Sequence, residues 1–189
     1  YYKNVKGLSN SIELHFLNQV LPGYFWIFPL EDGLANVGAG MVVKDMNKKH
    51  VNLQQVMFDI IEKDPVFSKR FEGAERVSEV KGWNLPLGSY RRRAHGNGFV
   101  LLGDAASLID PFTGEGIGNA LVSARIASKV IQKAFEKNDY SAKVLSEYED
   151  ALWAELGSEL RGPCPISWRD CFIAANQCRR YKLHKPLRA

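Results

Sequence analysis

No stretch of this sequence approaches the roughly 18 consecutive apolar residues that a membrane-spanning helix requires. Its longest apolar runs, near Tyr24 to Leu30 and Phe99 to Leu102, have the length of buried strands. Cysteine is scarce: Cys164, Cys171 and Cys178 stand seven residues apart near the end of the chain, without the close pairing of common zinc ligands. No metal site is therefore expected, and an odd number of thiols without a secretory signal fits a reducing compartment. The opening Tyr1-Tyr2-Lys3-Asn4 has neither an initiator methionine nor a basic-then-apolar signal, and reads as a cut into a longer chain. The four histidines, His15, His50, His95 and His184, are scattered and form no nucleophile or metal pattern. The charge excess is small and misplaced for nucleic acid. Of the net +4, Arg169, Arg179, Arg180, Lys182, Lys185 and Arg188 against Asp170 account for more than the whole, so residues 1–161 are close to neutral. A phosphate-backbone partner is not expected of such a body.

What is present is the composition of an ordinary globular protein: 189 residues, 46% apolar and 24% charged, enough for a sizeable core. Ile12 to Leu17, Tyr24 to Pro29 and Leu34 to Val43 are short apolar stretches broken by Pro22-Gly23 and Asp32-Gly33, a pattern that predicts antiparallel strands of a meander. Over residues 50–63 the period changes. Val51, Leu53, Val56, Met57, Ile60 and Ile61 recur at three and four, and Asp64-Pro65 closes the segment, so an amphipathic helix on that sheet is predicted. Val77 to Leu87 is read as one more strand. Arg91-Arg92-Arg93 with Gly96-Asn97-Gly98 marks an exposed basic loop, taken as a domain boundary.

Beyond it, Phe99-Val100-Leu101-Leu102 does not alternate, which predicts a strand buried on both faces of a parallel sheet. A long helix is predicted from Ile117 to about Lys137, with Leu121, Ala124, Ser128 and Ile131 along one face and small residues allowing close approach to the sheet. A second is predicted over Ser141 to Glu159, with Val144, Leu145, Tyr148, Leu152 and Leu156 on its apolar side. Between strand and helix lies the most informative segment, Gly103-Asp104-Ala105-Ala106 through Pro111 to Gly114-Glu115-Gly116-Ile117. A carboxylate at the carboxyl end of a strand in an α/β sheet sits where ligands bind, and ionised Asp104 is an acceptor for sugar-like hydroxyls. The Gly-Glu-Gly turn leads into a helix whose unpaired N–H groups favour an anion or a carbonyl oxygen. Taken singly, Asp104 is equally a turn residue, and Gly114 and Gly116 equally a tight helix entry. Glu115 is read first as a helix N-terminal glutamate, with proton relay as its other reading.

A second pattern is Tyr24-Phe25-Trp26-Ile27-Phe28-Pro29, followed by Gly38-Ala39-Gly40. On a strand, Tyr24, Trp26 and Phe28 share one face, while Phe25 and Ile27 share the other. Such aromatics either pack a core or form a wall for a long apolar ligand, and Gly38 and Gly40 on a shared face would leave room for a chain.

Together the two patterns resemble the geranylgeranyl reductase family of FAD-dependent oxidoreductases, in the superfamily of p-hydroxybenzoate hydroxylase. There, G-D-A-A…P-x-x-G-x-G-I is the second flavin motif and Y-x-W-x-F-P…G-x-G is a family signature. Leu85-Pro86-Leu87-Gly88 fits the segment leading into the flavin motif. The resemblance covers about residues 1–160. It implies a mixed α/β (α+β) fold: the C-terminal part of an FAD/NAD(P)-binding Rossmann-like fold with an antiparallel substrate-domain sheet.

Residues 1–93 would then be part of a substrate-binding domain and 94–161 a returning segment of the FAD-binding domain. Residues 162–189, which begin Gly162-Pro163-Cys164-Pro165, would be a divergent basic tail to which no function is carried. By the same resemblance Gly103, Asp104, Ala105, Pro111, Gly114, Glu115, Gly116 and Ile117 would bind FAD, with Asp104 on the ribityl chain. Tyr24, Trp26, Phe28, Gly38 and Gly40 would bind substrate. No catalytic acid is assigned.

The implied activity is reduction of carbon–carbon double bonds in a polyprenyl lipid or prenylated pigment, with NAD(P)H or ferredoxin as external electron donor. A flavin monooxygenase or halogenase on the same fold, and a non-catalytic lipid-binding module, are the alternatives. The implied location is cytoplasmic, with peripheral contact at the inner face of the membrane. The sequence has no strand followed by G-x-G-x-x-G, so the site for the ADP half of FAD is expected in an N-terminal remainder of the same protein.

Overall fold

The computed structural model describes residues 1–161, and the sequence reading of the tail lies outside them. The described residues fall into two compact units, Tyr1–Lys81 and Gly82–Arg161.

The first unit is an antiparallel sheet covered on one face by helices. Its strands are β1 (Tyr2–Lys3), β2 (Glu13–His15), β3 (Gly23–Pro29), β4 (Leu34–Met41) and β5 (Glu75–Arg76), in the order β2-β3-β4-β1-β5. The expected meander is β2-β3-β4, with Glu13 opposite Ile27, His15 opposite Phe25, and Tyr24 opposite Gly40. After β4 the chain turns into a short helix, α1 (Val43–Lys48), then α2 (Leu53–Lys63) and α3 (Phe67–Phe71). Asn52 caps α2 by accepting the N–H of Gln55 at 3.1 Å, which sets its start at residue 53 rather than 50. The period-two alternation of β3 divides its side chains as expected. Phe25 and Ile27 are fully buried and share one core with Met57, Ile60 and Ile61 of α2 and Phe67 and Phe71 of α3.

Val77 to Leu87 does not form the expected strand. Regular pairing stops at Arg76, and Leu87 makes only an isolated parallel bridge to Ile109. A glycine and a proline, Gly82 and Pro86, interrupt this stretch, and proline has no N–H for a ladder.

The second unit is built on two long helices, α4 (Ile117–Lys137) and α5 (Ala142–Arg161). The expected doubly buried parallel strand is absent among the described residues. Phe99–Val100 (β7) instead pairs antiparallel with His95–Gly96 (β6) across the turn Asn97-Gly98, and Phe99 and Leu102 are exposed. Asn-Gly is a strong local hairpin signal, and Gly98 supplies the positive φ of +77° such a turn uses. The α5 pattern holds: Leu145, Tyr148, Leu152 and Leu156 are buried, with Trp153 and Leu160.

The α4 face reading is reversed. The helix buries Ser123, Ile126, Ala127, Val130 and Ala134 in the core that includes α5, while the predicted face of Leu121, Ala124, Ser128 and Ile131 looks outward, with Leu121 at 69% exposure. α4 is apolar on two sides, and the side bearing Ile126, Ala127 and Val130 meets α5.

Candidate functional site

Two assemblies carry the residues singled out in the sequence, one in each unit. In the first, the helix-free face of the sheet bears a ladder of rings. Phe16 and Tyr24 have centroids 6.1 Å apart, and Tyr24 to Trp26 and Trp26 to Phe28 are each 6.0 Å. The predicted three aromatics thus do share a wall, and Phe16, just past β2, extends it. Spacings of 4.5–7 Å are those of interacting aromatic pairs.

Gly38 makes room for the Trp26 indole, whereas Gly40 leaves only an ordinary contact to it. The Trp26 indole lies over β4: a Cβ on Gly38 would be 2.2 Å from Cζ2 of the indole, while one on Gly40 would be 3.7 Å from Cζ3. Its N–H donates to Asn36 Oδ1 at 2.7 Å. Asn36, Gly38 and Gly40 are alternate residues of β4 and so share a face. Asn36 was missed in the sequence, although its place two residues before Gly38 was the signal available.

On the helix-covered face of the same sheet sits an ion cluster. Arg70 donates to both oxygens of Glu13, at 2.5 and 2.9 Å, and the His15 ring lies 2.9 Å from Glu13 Oε2 and edge-on to Phe67. Burial pushes the Glu13 carboxyl up, but the hydrogen bonds from His15 and Arg70 and their charges outweigh it and hold the pKa at about 2. Its folded pKa lies below the unfolded value of 4.5, so the stabilisation is full above pH 4.5 and is lost as pH falls towards 2. It amounts to on the order of 3 kcal/mol. Urea midpoints between pH 5 and pH 2 (roughly the span of the acid limb for such a carboxylate) should therefore fall, and Glu13→Gln should flatten that slope. An unchanged slope in the variant would remove Glu13 from the account.

In the second unit, a single 3-10 turn, Gly103–Ala106, follows β7 and places Asp104 on the surface. The Gly103 N–H donates at 3.1 Å to Ser123 Oγ, which donates in turn to the Ala120 carbonyl, so this turn is tied to α4 from within. The loop from Asp110 to Glu115 is closed by its own bonds. Asp110 Oδ1 accepts from the N–H groups of Phe112 and Thr113, and its backbone N–H donates to the Glu115 carbonyl at 2.8 Å. Gly114 holds φ at +76°, a conformation that favours glycine.

Gly116 caps α4 and brings its start against the turn: a Cβ there would be 3.2 Å from Asp104 Oδ1 and 3.1 Å from Ile109 Cγ1. No side chain caps this end, and the first intrahelical bond is Ala120 N–H to the Gly116 carbonyl. The sequence-predicted Gly103, Asp104, Gly114, Glu115, Gly116 and Ile117 thus form one continuous feature, an exposed carboxylate beside an uncapped helix N-terminus. Ala105 is exposed at its edge, and Pro111 is part of the closed loop. Asn119 was missed in the sequence. Its amide donates to the Leu108 carbonyl at 2.7 Å and fixes the loop to the first turn of α4. The basic loop is not free either: Arg91 pairs with Glu149 and Asp150.

Residues 3–81 match the sequence profile of the geranylgeranyl reductase catalytic domain. A digeranylgeranylglycerophospholipid reductase from Thermoplasma volcanium is 37% identical over 140 residues, which is 71% of this chain and 33% of that protein. In residues 3–81 the chain carries the catalytic domain of the geranylgeranyl reductase family. It spans about a third of the length of the curated relatives it matches.

Among solved structures, a geranylgeranyl bacteriochlorophyll reductase-like protein from Thermoplasma acidophilum superposes with a TM-score of 0.70 at 30% identity. The superposition covers 84% of this chain and 38% of the other. A flavin-dependent brominase, Bmp2, gives a TM-score of 0.68 over 94% of this chain and 45% of its own, at 21% identity, a likeness of fold alone. The mixed α/β fold with its antiparallel sheet is therefore shared with this family. Among the described residues no helix is long and apolar enough to cross a membrane, and no cluster of metal-ligating side chains occurs.

Proposed function

We propose that this chain supplies the prenyl-binding sheet and the flavin-facing turn of an FAD-dependent reductase that saturates carbon–carbon double bonds of a geranylgeranyl-type lipid. The observation that carries the reading is the ladder Phe16, Tyr24, Trp26 and Phe28, on the face of the catalytic-domain sheet that its helices leave uncovered. An isoprenoid chain offers no hydrogen bonds, so it is held by apolar area, and a row of rings supplies that area while excluding water.

The second unit fits the cofactor. Asp104 is exposed and ends a strand-and-turn unit, where its carboxylate accepts from ribityl hydroxyls. The uncapped N-terminus of α4 offers N–H groups and a positive dipole end to negative charge. FAD, when bound and reduced, supplies a hydride. The Gly114 to Ile117 backbone, held by Asp110 and Asn119, keeps the N–H groups of the helix start in place, and the aromatic wall holds the chain. The Rossmann-like dinucleotide portion is assigned to the rest of the protein, where it would also cover the outward apolar stripe of α4. NAD(P)H or ferredoxin would reduce the flavin, and the lipid would be reached from the inner membrane surface by peripheral contact.

The test uses the complete protein that carries these residues, reduced anaerobically with FAD and given a digeranylgeranyl lipid. Saturation of the lipid by mass spectrometry, matched by return of the oxidised flavin bands, is the expected result. In a parallel aerobic assay, substrate-stimulated oxygen uptake without saturation would instead identify a monooxygenase or halogenase, and lipid binding with no flavin retained a binding module. Asp104→Ala should weaken FAD retention at least about tenfold, the scale of one hydrogen bond to a charged group, and leave the lipid affinity unchanged. Full flavin retention in that variant would remove Asp104 from the site.

A further inference from the structure

Nothing in the ladder's aromatic spacing requires the central ring to take one orientation, yet the structure gives it two constraints from the neighbouring strand. The indole runs along β4, with its N–H at Asn36, its Cζ2, Cε2 and Cη2 atoms over Gly38 and its Cζ3 near Gly40. Gly38 acts as a seat: no side chain there lifts the ring off the sheet. A seat alone does not fix rotation about the tryptophan side-chain torsions, and the indole has one polar atom by which it can be held. That N–H meets Asn36 Oδ1 at 2.7 Å, a short and direct bond between half-buried groups. Asn36 is opposite Phe28 in the ladder register, one step further along the wall than Gly38, which faces Trp26 itself. The bond therefore draws the indole diagonally across the strand pair, so that it spans the gap towards Phe28 rather than standing away from the sheet.

We propose that Asn36 is a positioning residue that locks the Trp26 indole flat along β4, and so sets the length of unbroken apolar wall available to a prenyl chain. This rests on the prenyl reading above. With the ring flat, Tyr24, Trp26 and Phe28 present a continuous surface. With the ring freed, Trp26 swings into the path of the chain, and only ligands short enough to use one side of it remain well bound. Asn36 thereby acts on chain-length preference without touching the reacting atoms.

The test compares Asn36→Leu and Asn36→Asp with wild type in the complete protein that carries these residues, using geranylgeraniol and geraniol in detergent micelles as long and short probes. Trp26 fluorescence is isolated as the difference from Trp26→Phe. In Asn36→Leu, acrylamide quenching of Trp26 should rise, and geranylgeraniol should bind about tenfold more weakly, the scale of one lost hydrogen bond, with geraniol changed far less. Asn36→Asp keeps an acceptor oxygen at the same place and should restore both signals. Unchanged quenching in Asn36→Leu, or equal losses for the two probes, overturns the proposal. A complete wild-type protein that binds neither probe refutes the prenyl reading instead, and the quenching comparison still reports whether Asn36 holds Trp26.

Discussion

Replacing Glu149 by alanine should destabilise the second unit by about 3 kcal/mol, whereas Asp150→Ala, which removes the other partner of the same arginine, should cost less than about 1 kcal/mol. The two carboxylates are adjacent on α5 and both bind Arg91, Glu149 at Nε (2.8 Å) and Asp150 at Nη2 (2.6 Å). Distance alone would rank Asp150 first. Burial reverses the order: the Glu149 side chain is 9% exposed and that of Asp150 is 69%.

Glu149 also accepts the backbone N–H of Ala94 at 3.0 Å and meets His95 Nδ1 at 2.8 Å. Ala94 is itself buried, so removing the carboxylate leaves a buried donor without its acceptor, the costly way to break a hydrogen bond. Burial raises the Glu149 pKa, but the Ala94 N–H and the Arg91 and His95 hydrogen bonds more than offset it, and the carboxyl stays below its usual range. The stabilisation is thus present at neutral pH and fades on the acid side. Urea unfolding of the two variants at pH 7 decides the point, and equal losses would show that burial is not what sets the value of this network. Hydrogen exchange should place the damage in the segment from Arg91 to Val100, which Glu149 ties to α5, while the Leu152 and Leu156 core persists.

That network was invisible in the sequence for a physical reason. Arg91 and His95 each lie more than fifty residues from Glu149 along the chain, and a basic triplet beside a glycine-rich turn has the composition of a solvated loop. Local periodicity was read correctly wherever one face of an element meets a core and the other does not. β3 separates Phe25 and Ile27 from its aromatic face, α2 buries Met57, Ile60 and Ile61, and α5 buries Leu145, Tyr148, Leu152 and Leu156 with Val144 partly buried beside them.

It failed where an element is apolar on two sides. Ser123, Ile126, Ala127, Val130 and Ala134 of α4 are buried in the core shared with α5, while Ile117, Leu121 and Phe135 face outward, and no periodicity chooses between two apolar stripes. Phe99 to Leu102 erred for a related cause: an unbroken apolar run signals burial without naming the partner, and the Asn97-Gly98 turn supplied a local one. The turn from Gly103 to Ile117 was legible because its members are contiguous, whereas Ser123 and Asn119, which hold it from α4, look like ordinary helix residues.

The largest effect expected on the aromatic face is that of a single methyl group at Gly38. Gly38→Ala places a carbon 2.2 Å from Cζ2, 2.6 Å from Cε2 and 2.7 Å from Cη2 of Trp26, distances at which the ring must leave its seat. The backbone of Gly38 has no positive φ, so the cost is steric and not one of conformation. Displacing the indole forfeits the bond to Asn36 and the contacts to Tyr24 and Phe28, each of these worth about 1 kcal/mol. The sum with overpacking is about 2–4 kcal/mol of stability.

Gly40 is the control. A Cβ there would lie 3.7 Å from Cζ3, an ordinary contact, so Gly40→Ala should change stability by less than about 1 kcal/mol, with a gain open to it because glycine weakens a strand interior. If the two glycines served to open space for a ligand, both substitutions would impair lipid binding alike and neither would disturb Trp26. If Gly38 seats the indole, only Gly38→Ala should shift the Trp26 emission, lower the urea midpoint and weaken binding of geranylgeraniol, while Gly40→Ala keeps all three near wild type.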